Sequence, residues 1–416
     1  MPEGGSPTVP GREFFTAVTV TDALARLRAV RRTTVERIAS AEALGRVPAA
    51  EVTAPHDLPG FARSTVDGYA VRAADTFGAS EGLPSYLDVT GEVRMGEVPD
   101  IEVAPGRAVT MPTGGALPSG ADAVVMVEHT QSTMPGTIEV VRPVAAGDGI
   151  VRADEDVAVG AVLVPAGRPL RPQDLGVLAT AGVTTVEAYA RPRVAILSTG
   201  DEVVPPDTAV LAPGQVRDAT ASALAGLVTS AGGVAEPRGI VPDDAAALEA
   251  AMRSAMEACD LVVVSAGSSV GARDETAGVI AGLGSPGIVV HGLSVKPGKP
   301  TLLAECDGVP IVGLPGNPLS ALVVFRLIGV PLVWRLAGCD DPPPEPTTSA
   351  RLGRPIASAG GRLDVVQVRL DGGVAEPLLG ASALLSLLTS ADGYVVVPEP
   401  ETGLDAGTEV TVTLYR

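Results

Sequence analysis

The sequence predicts an α/β and β multidomain protein, built around a doubly wound, mostly parallel α/β sheet domain. Residues 188–338 alternate buried Val- and Leu-rich strands with helices, the order that produces a parallel sheet covered on both faces. Residues 50–142 contain short Val-rich segments separated by Gly and Pro, which indicates an inserted β-rich domain. A proline-rich linker at residues 340–346 then leads to strand-like segments, which indicates a C-terminal β domain at residues 339–416.

The N-terminal region predicts a disordered tail followed by a mixed α/β domain. Residues 1–12 have no apolar signal core, so we expect no targeting segment there. The mixed domain comprises residues 13–49 and 143–187, which lie on either side of the inserted domain. Its first helix is predicted to begin at an N-cap formed by Thr21 and Asp22.

The later elements follow from apolar runs and helical spacing. In the α/β domain the predicted strands are Val194–Leu197, Leu261–Val264, Gly287–Val290 and Pro310–Val312, and the predicted helices are Asp218–Ser230 and Asp243–Ala258. In the C-terminal domain the predicted strands are Asp364–Leu370, Gly393–Val397 and Glu409–Leu414. The apolar stretch from Leu319 to Gly338 contains two arginines and Pro331, which favours a buried helix, a turn and a second short helix over a membrane span.

Composition and charge exclude several classes of function. The chain of 416 residues has a formal net charge of -19, which repels nucleic acid and anionic membrane surfaces. Its three cysteines (Cys259, Cys306 and Cys339) are widely spaced and odd in number, as expected for reduced thiols of a cytoplasmic protein. The three histidines have no metal-ligand spacing either, so we expect no zinc site.

The distribution of basic residues predicts a site for small anions. Of the 30 basic residues, 28 are Arg, and the two lysines, Lys296 and Lys299, share one Lys-Pro-Gly-Lys segment. The single Asn, Asn317, lies in a nearby Gly-Leu-Pro-Gly-Asn-Pro segment. We infer that Arg cannot replace these lysines, because a compact ammonium fits a tight oxyanion or phosphate pocket better than a wide planar guanidinium. The alternative interpretation is that both lysines are ordinary surface charges.

Three segments rich in small residues follow predicted strands, the position at which open α/β sheets bind ligands. They are residues 198–202, 265–271 and 313–318, whose backbone amides can approach an anion closely. The carboxylates near them, Glu202, Asp218 and Asp274, are of the type that holds Mg²⁺ beside phosphates. Asp218 and Asp274 are also expected to precede helices, so capping is the alternative role for both.

For two acidic motifs, physical reasoning from the sequence alone favours a structural role. Asp67, followed by glycine, favours a turn. The pair Glu155 and Asp156 is typical of a solvated acidic turn.

Together these motifs resemble the molybdopterin molybdenumtransferase family, which is called MoeA in bacteria and is matched by the E domain of gephyrin in animals. The resemblance extends from about residue 23 to the C-terminus. Its motifs are Ala43-Leu-Gly-Arg-Val, Leu58-Pro-Gly-Phe with Ser64-Thr-Val-Asp-Gly-Tyr-Ala-Val, Met111-Pro-Thr-Gly, Ile196-Leu-Ser-Thr-Gly-Asp-Glu, Lys296-Pro-Gly-Lys-Pro and Gly313-Leu-Pro-Gly-Asn-Pro. The last two are highly specific in combination.

The resemblance implies an α/β domain of the molybdopterin-binding type in an elongated homodimer, with a cleft that both subunits share. The implied reaction inserts molybdate into adenylylated molybdopterin, with Mg²⁺-dependent release of AMP. The implied partners are a molybdopterin adenylyltransferase and molybdoenzymes, through transient contacts.

The resemblance also implies roles for individual residues. The implied catalytic residues are Asp67 and Thr113, contributed by the second subunit, with Glu202, Lys296 and Lys299. The implied substrate-binding residues are Ser198, Gly200, Asp218, Ser265, Gly267, Ser269, Gly271, Pro315, Gly316, Asn317, Arg362 and Ser382. The implied metal ligands are Asp156, Glu202, Asp218 and Asp274, with Glu155 as a further acidic residue of the cleft.

The chain departs from the family pattern beside the second glycine-rich segment. Ala266 replaces a usual Gly, Ala272 replaces a usual acid, and Arg273 adds a positive charge. Two alternative functions therefore stay open at this point: a molybdopterin adenylyltransferase, and a catalytically divergent paralogue or scaffold that binds molybdopterin.

Overall fold

Three six-stranded sheets organise the described part of the chain. The computed structural model describes residues 17–27, 30–265, 270–380, 384 and 386–415, without the side chains of Thr133 and of residues 270–274. The first sheet lies in the β-rich unit, the second in the α/β unit and the third in the C-terminal unit. The predicted multidomain α/β and β class is confirmed.

The elements have the following bounds. Up to residue 189 they are α1 (Val20–Arg26), β1 (Val35–Ala39), β2 (Val52–Thr53), β3 (Arg63–Ser64), β4 (Gly68–Val71), β5 (Ser85–Glu92), β6 (Arg107–Met111), β7 (Ala123–Met126), β8 (Thr130–Met134), β9 (Thr137–Val140), β10 (Ile150–Val151), β11 (Val162–Val164), α2 (Pro172–Thr180) and β12 (Thr185–Tyr189). The α/β unit contains β13 (Arg193–Thr199), β14 (Val203–Val204), β15 (Val216–Arg217), α3 (Ala219–Ser230), β16 (Val234–Val241), α4 (Ala245–Ala258), β17 (Leu261–Ser265), α5 (Val270–Ala281), β18 (Pro286–His291), β19 (Val295–Lys296), β20 (Leu302–Cys306), β21 (Val309–Leu314), α6 (Pro318–Val324), a π-helical segment (Phe325–Gly329) and α7 (Val330–Leu336). The last elements are β22 (Thr347–Leu352), β23 (Ile356–Ala357), β24 (Leu363–Asp371), β25 (Val374–Pro377), α8 (Ser386–Ser390), β26 (Gly393–Val397), β27 (Gly403–Leu404) and β28 (Glu409–Leu414).

Strands that precede the β-rich sheet in the chain pair with strands that follow it, which is the arrangement expected for an inserted unit. Antiparallel pairs join β1 to β12 and β2 to β11, while β3 pairs with β10. Between them the β-rich sheet has the order β7-β4-β6-β5-β9-β8. The boundaries of the predicted domains stay predictions.

The α/β sheet is mostly parallel, in the order β16-β13-β17-β21-β20-β18. The first four strands are parallel, and β20 and β18 extend the sheet with antiparallel pairings. Side chains alternate along β13: Val194 and Ile196 pack in one buried cluster, and Ala195 and Leu197 in another. Helix α3 covers the first face and α4 the second, so the predicted doubly wound arrangement is confirmed.

Two details of the predicted helices are wrong. Thr19, not Thr21 or Asp22, caps α1, because its side chain accepts a hydrogen bond from the Asp22 amide (3.0 Å). Asp274 lies inside α5 and does not precede it, so it cannot be that helix's N-cap. Asp218 does cap α3, as one of its two predicted roles requires.

The long apolar helix continues through the predicted turn. The helix has 19 residues, Pro318–Leu336; its most apolar stretch has a mean hydropathy of 1.8, and 61% of that stretch is buried in the protein. The Val330 amide donates to the Phe325 carbonyl, an i to i+5 hydrogen bond that widens the helix just before Pro331. The helix therefore accommodates a proline without turning, and burial in the core explains its apolar composition.

The C-terminal unit is a small closed β structure. Strands β24, β25, β22, β28 and β26 pair successively, and β26 pairs again with β24. The α/β unit contributes one more strand, because β19 pairs in parallel with the start of β24. Val365 and Tyr394 also pack in the core cluster that contains Val194 and Ile196, so the two units share a core.

Candidate functional site

A cleft of about 660 Å³ lies where the α/β unit meets the C-terminal unit. Lys296, Lys299 and the neutral Asn317 line it from the first unit, and Arg362 and Asp364 line it from the second. Three cations and one carboxylate among the described residues of its wall therefore give the cleft a surplus of positive charge, in a strongly acidic protein. We call it the cation cleft.

Backbone contacts fix the turn that carries the two lysines. Gly298 has φ +124, and a Cβ at this position would stand 2.3 Å from Val324 Cγ2 of the long helix. The buried Thr301 hydroxyl donates to the Gly298 carbonyl (2.7 Å), and the Leu293 amide donates to the Lys299 carbonyl (2.9 Å). Only glycine allows so close an approach, so the turn is held against the helix.

The third glycine-rich segment forms the adjoining wall of the cleft. It follows β21 and leads into the N-terminus of the long helix, with Pro315 and Asn317 on the wall and Gly316 between them. Asn317 is the N-cap residue of that helix, and its carbonyl accepts the Ala321 amide (3.0 Å). A helix N-terminus adds partial positive charge to a wall that already contains lysines.

The first two glycine-rich segments begin next to each other, because Ser198 and Ser265 meet at the carboxyl ends of the neighbouring strands β13 and β17. The Ser198 hydroxyl donates to Asp218 Oδ2 (2.6 Å), and the Ser265 hydroxyl donates to Ser198 Oγ (3.4 Å). Asp218 Oδ1 accepts the Ala221 amide (3.0 Å). Asp218 is therefore both the helix cap and a buried carboxylate at the sheet edge, so its two predicted positions coincide.

Acidic side chains gather at the end of β13. Gly200 has φ +132, and a Cβ there would stand 2.6 Å from Glu202 Oε2, so the Glu202 carboxylate lies over this glycine. The Asp243 amide donates to Asp201 Oδ1 (3.2 Å). Partial burial, with the negative charges of Asp201 and Glu202, raises the pKa of Asp243 above the usual value for Asp. We call these three residues with Asp218 the acidic edge.

Asp243 was missed in the sequence analysis as a site residue. The feature that could have identified Asp243 is its position in the chain, because it follows β16, the neighbour of β13 in the sheet. β16 contains Pro237 and Gly239 and is largely exposed, so its sequence lacks the apolar run of a buried strand. Because β16 was not predicted, the sequence identifies Asp243 only as the first residue of a predicted helix.

Two predicted site residues lie together in the β-rich unit. The Thr113 amide donates to Asp67 Oδ1 (2.8 Å), across the ends of β4 and β6. Neither residue lines the cation cleft of the same chain. Asp67 lies in a bend and Gly68 begins β4, so the predicted turn at this pair is not formed, and the Thr113 backbone fixes the Asp67 side chain.

The remaining predicted carboxylates occupy a separate turn. The Asp156 amide donates to the Leu58 carbonyl (3.1 Å), and Glu155 Oε2 accepts the Arg152 amide (2.9 Å). The described residues contain no group of three or more His, Cys, Asp or Glu side chains spaced to hold a metal ion. Asp156 is therefore not grouped with Glu202 and Asp218 within one chain.

Donor chemistry at the acidic edge nevertheless fits Mg²⁺. This cation keeps several waters and binds through one or two carboxylates together with substrate phosphates, so it does not need a complete protein cage. The exposed Glu202 carboxylate and the raised pKa of Asp243 indicate uncompensated negative charge at this edge.

Some predictions lie outside the described residues. These are the roles of Gly267, Ser269 and Ser382, the departure at Ala266, and the side chains of Ala272, Arg273 and Asp274; the backbone of Gly271 lies in α5.

The cysteines are free and buried, as predicted. Burial raises the pKa of the Cys259, Cys306 and Cys339 thiols, which keeps them protonated and unreactive.

Comparison with known proteins identifies the family. Three family models match the chain: "MoeA N-terminal region (domain I and II)" at residues 18–182, "Probable molybdopterin binding domain" at residues 195–335, and "MoeA C-terminal region (domain IV)" at residues 349–415. Molybdopterin molybdenumtransferase 2 of Mycobacterium tuberculosis is 34% identical, over 89% of this chain and 93% of that protein. Molybdopterin molybdenumtransferase of Bacillus subtilis is 31% identical, over 92% of this chain and 90% of that protein.

A solved structure supports the same relationship. The molybdopterin biosynthesis MoeA protein of Pyrococcus horikoshii superposes with a TM-score of 0.84 at 31% identity, covering 96% of this chain and 100% of that one. The chain belongs to the molybdopterin molybdenumtransferase, or MoeA, family of enzymes of molybdenum cofactor biosynthesis.

Proposed function

We propose that this enzyme inserts molybdate into adenylylated molybdopterin and releases AMP. The observation that supports this reaction is the cation cleft, which contains both lysines of the chain and Arg362. Molybdate and the adenylylated substrate are both anions, and a protein with a formal net charge of -19 repels them elsewhere on its surface. Local cations that are already in place stabilise two anions brought together for reaction.

The residues of the cleft have complementary roles in this proposal. Lys296, Lys299 and Arg362 bind molybdate or the phosphate that leaves with AMP. Pro315, Gly316 and Asn317 present the N-terminal end of the long helix to the same anion. Ser198, Gly200 and Ser265, with the segment around Gly267, Ser269 and Gly271, bind the pterin substrate from the neighbouring strand ends, and Ser382 closes the oxyanion pocket.

The acidic edge binds the cation of the reaction. Glu202 and Asp218 hold Mg²⁺ together with the substrate phosphates, Asp274 completes the proposed ligand set of the same chain, and the second subunit contributes Asp156. Mg²⁺ supplies neutralisation of the phosphoanhydride charge. The strand ends that carry Ser198 and Pro315 are separated by one strand, or roughly 10 Å. An elongated substrate therefore reaches the acidic edge and the cation cleft at once.

We further propose that the enzyme works as a cytoplasmic homodimer. Most of the exposed large apolar side chains in the described residues lie between Val35 and Val177, in the N-terminal and β-rich units. Such a concentration favours a protein–protein contact. In the homodimer, Asp67 and Thr113 enter the cleft of the second subunit, with Glu155 nearby. A molybdopterin adenylyltransferase and molybdoenzymes are the proposed transient partners.

A direct assay tests this function. The purified chain is incubated with adenylylated molybdopterin, Mg²⁺ and molybdate, and both AMP and active cofactor are measured. We expect AMP release that depends on molybdate and on Mg²⁺. Substrate binding without AMP release would contradict the proposal and indicate a scaffold. Formation of adenylylated molybdopterin from ATP and molybdopterin would indicate an adenylyltransferase instead.

A further inference from the structure

One carboxylate in the cation cleft is almost completely buried. Asp364 is 2% exposed, and its two oxygens face two different cations. Oδ1 accepts a hydrogen bond from Arg362 Nε (2.9 Å), and Oδ2 lies 3.5 Å from Lys296 Nζ. A charge this buried is costly unless it is paired, so Asp364 depends on both neighbours.

Backbone pairing creates this contact without any ligand. β19 and β24 run in parallel, with Val295 opposite Leu363 and Lys296 opposite Asp364. The Leu363 amide donates to the Ser294 carbonyl (2.9 Å), which anchors the register. Two units that are distant in sequence therefore place a lysine and an aspartate side by side.

The shared carboxylate also limits the freedom of the two cations. The Lys296 side chain is 55% exposed and would otherwise sample many rotamers, because its stem has four carbons. Ordering such a side chain when a ligand binds costs affinity, and ordering it beforehand removes that cost. Asp364 thus aligns one cation from each unit along the wall of the same cleft.

We propose that Asp364 is a positioning residue, which holds Lys296 and Arg362 in the geometry that binds a doubly charged oxyanion. This inference rests on the proposed function and names the residue that organises its anion site. Three cations and one carboxylate leave a surplus of two positive charges along the described wall of the cleft, which matches a dianion such as molybdate. Asp364 acts through its two cations and does not contact the anion itself.

A second role for Asp364 would have the opposite experimental signature. If the carboxylate only neutralised charge, its removal would leave the cleft more positive and would strengthen anion binding. If it positions the cations, its removal weakens binding despite the added positive charge. The sign of the change in affinity therefore separates the two roles.

The test compares the full-length enzyme with Asp364→Asn and Asp364→Glu. The dissociation constant of molybdate alone is measured by calorimetry, and the KM for molybdate and kcat are measured by AMP release. We expect Asp364→Asn to bind molybdate about tenfold more weakly, the size of one lost charge-assisted hydrogen bond. Asp364→Glu keeps the charge but displaces it by one methylene, so we expect weaker binding there as well.

A double-mutant cycle distinguishes positioning from a general effect on folding. In the Lys296→Ala, Arg362→Ala background, Asp364→Asn has no cations left to position, so we expect no further loss of molybdate affinity. The matched control is Asp174→Asn. Asp174 is a 5% exposed carboxylate of α2, and its pairing with Arg168 holds its pKa well below the usual range. The Asp174→Asn substitution should lower the Tm and leave molybdate affinity unchanged.

The outcomes separate this inference from the proposed function. Tighter or unchanged molybdate binding by Asp364→Asn and Asp364→Glu would overturn the positioning role and leave the proposed reaction intact. An equal loss of affinity in the Lys296→Ala, Arg362→Ala background would overturn it too. A parent enzyme that neither binds molybdate nor releases AMP would overturn the proposed function and, with it, this inference.

Discussion

The cation cleft and the acidic edge are neighbours with opposite electrostatics. In the cleft, the buried carboxylate of Asp364 is compensated by Lys296 and Arg362. At the acidic edge, partial burial, together with the negative charges of Asp201 and Glu202, raises the pKa of Asp243. One region is therefore ordered before any ligand arrives, whereas the other, under the proposed function, gains its compensating charge from the cation of the reaction.

The largest expected effect comes from breaking the ordered region with Gly298→Ala. The new Cβ would meet Val324 at 2.3 Å, at a φ of +124 that side chains rarely adopt. We expect a loss of about 2–4 kcal/mol in the free energy of unfolding, measured by denaturant titration. Displacement of the lysines should also lower AMP release about 100-fold.

Gly308→Ala is the control for backbone strain alone. Gly308 has φ +86, and nothing lies within 4 Å of the position that a Cβ would occupy there. We expect a cost of about 1–2 kcal/mol and parental activity. Parental stability and activity in Gly298→Ala would contradict the view that the turn is held against the helix.

The acidic edge should respond to Glu202→Gln in a different way. Removal of one carboxylate weakens attraction for the cation, so we expect the Mg²⁺ concentration for half-maximal AMP release to rise about tenfold. The dissociation constant of molybdate measured without Mg²⁺ should stay at the parental value. A change in molybdate affinity with no change in Mg²⁺ requirement would reverse the roles assigned to the two regions.

The smallest expected effect is a gain of stability in Asp243→Asn. Because the folded-state pKa of Asp243 is raised, ionisation of this group opposes folding, and stability is lost as pH rises from about 4 through that pKa. The variant should therefore have a Tm about 1–2 °C above the parent at pH 7, since solvent screens an exposed carboxylate. The difference should disappear below about pH 4, which melting curves across this pH range measure. A lower Tm for the variant at pH 7 would contradict the repulsion.

Local sequence patterns correctly predicted two buried strands of the α/β sheet and the cap of α3. Val194–Leu197 and Leu261–Val264 are continuous apolar runs, and both are buried strands of the parallel sheet. Asp218 was predicted as cap or site; it caps α3 and accepts a hydrogen bond from Ser198, and its role as a site residue stays a prediction. The lysine pair was predicted to bind small anions from composition alone, and both lysines line the cation cleft.

Long-range pairing explains what the sequence could not reveal. β19 has two residues and therefore no periodicity, yet its pairing with β24 brings Lys296 to Asp364. β20, Leu302–Cys306, pairs antiparallel with both neighbours and has no helix before it, so it does not follow the alternating pattern. The position of Asp243 at the acidic edge could not be predicted, because it follows β16, an exposed strand that lacks an apolar run.

Under the proposed function, compact ammonium groups in the cation cleft bind the small anions of the reaction. Lys296→Arg and Lys299→Arg test this role, because they keep the charge and change only the shape of the cation. Arg107→Lys, in the β-rich unit, is the matched exchange at a half-exposed ion pair. We predict that both lysine variants keep the parental Tm and lose molybdate-dependent AMP release, while Arg107→Lys keeps it; full activity in both lysine variants would contradict the claim.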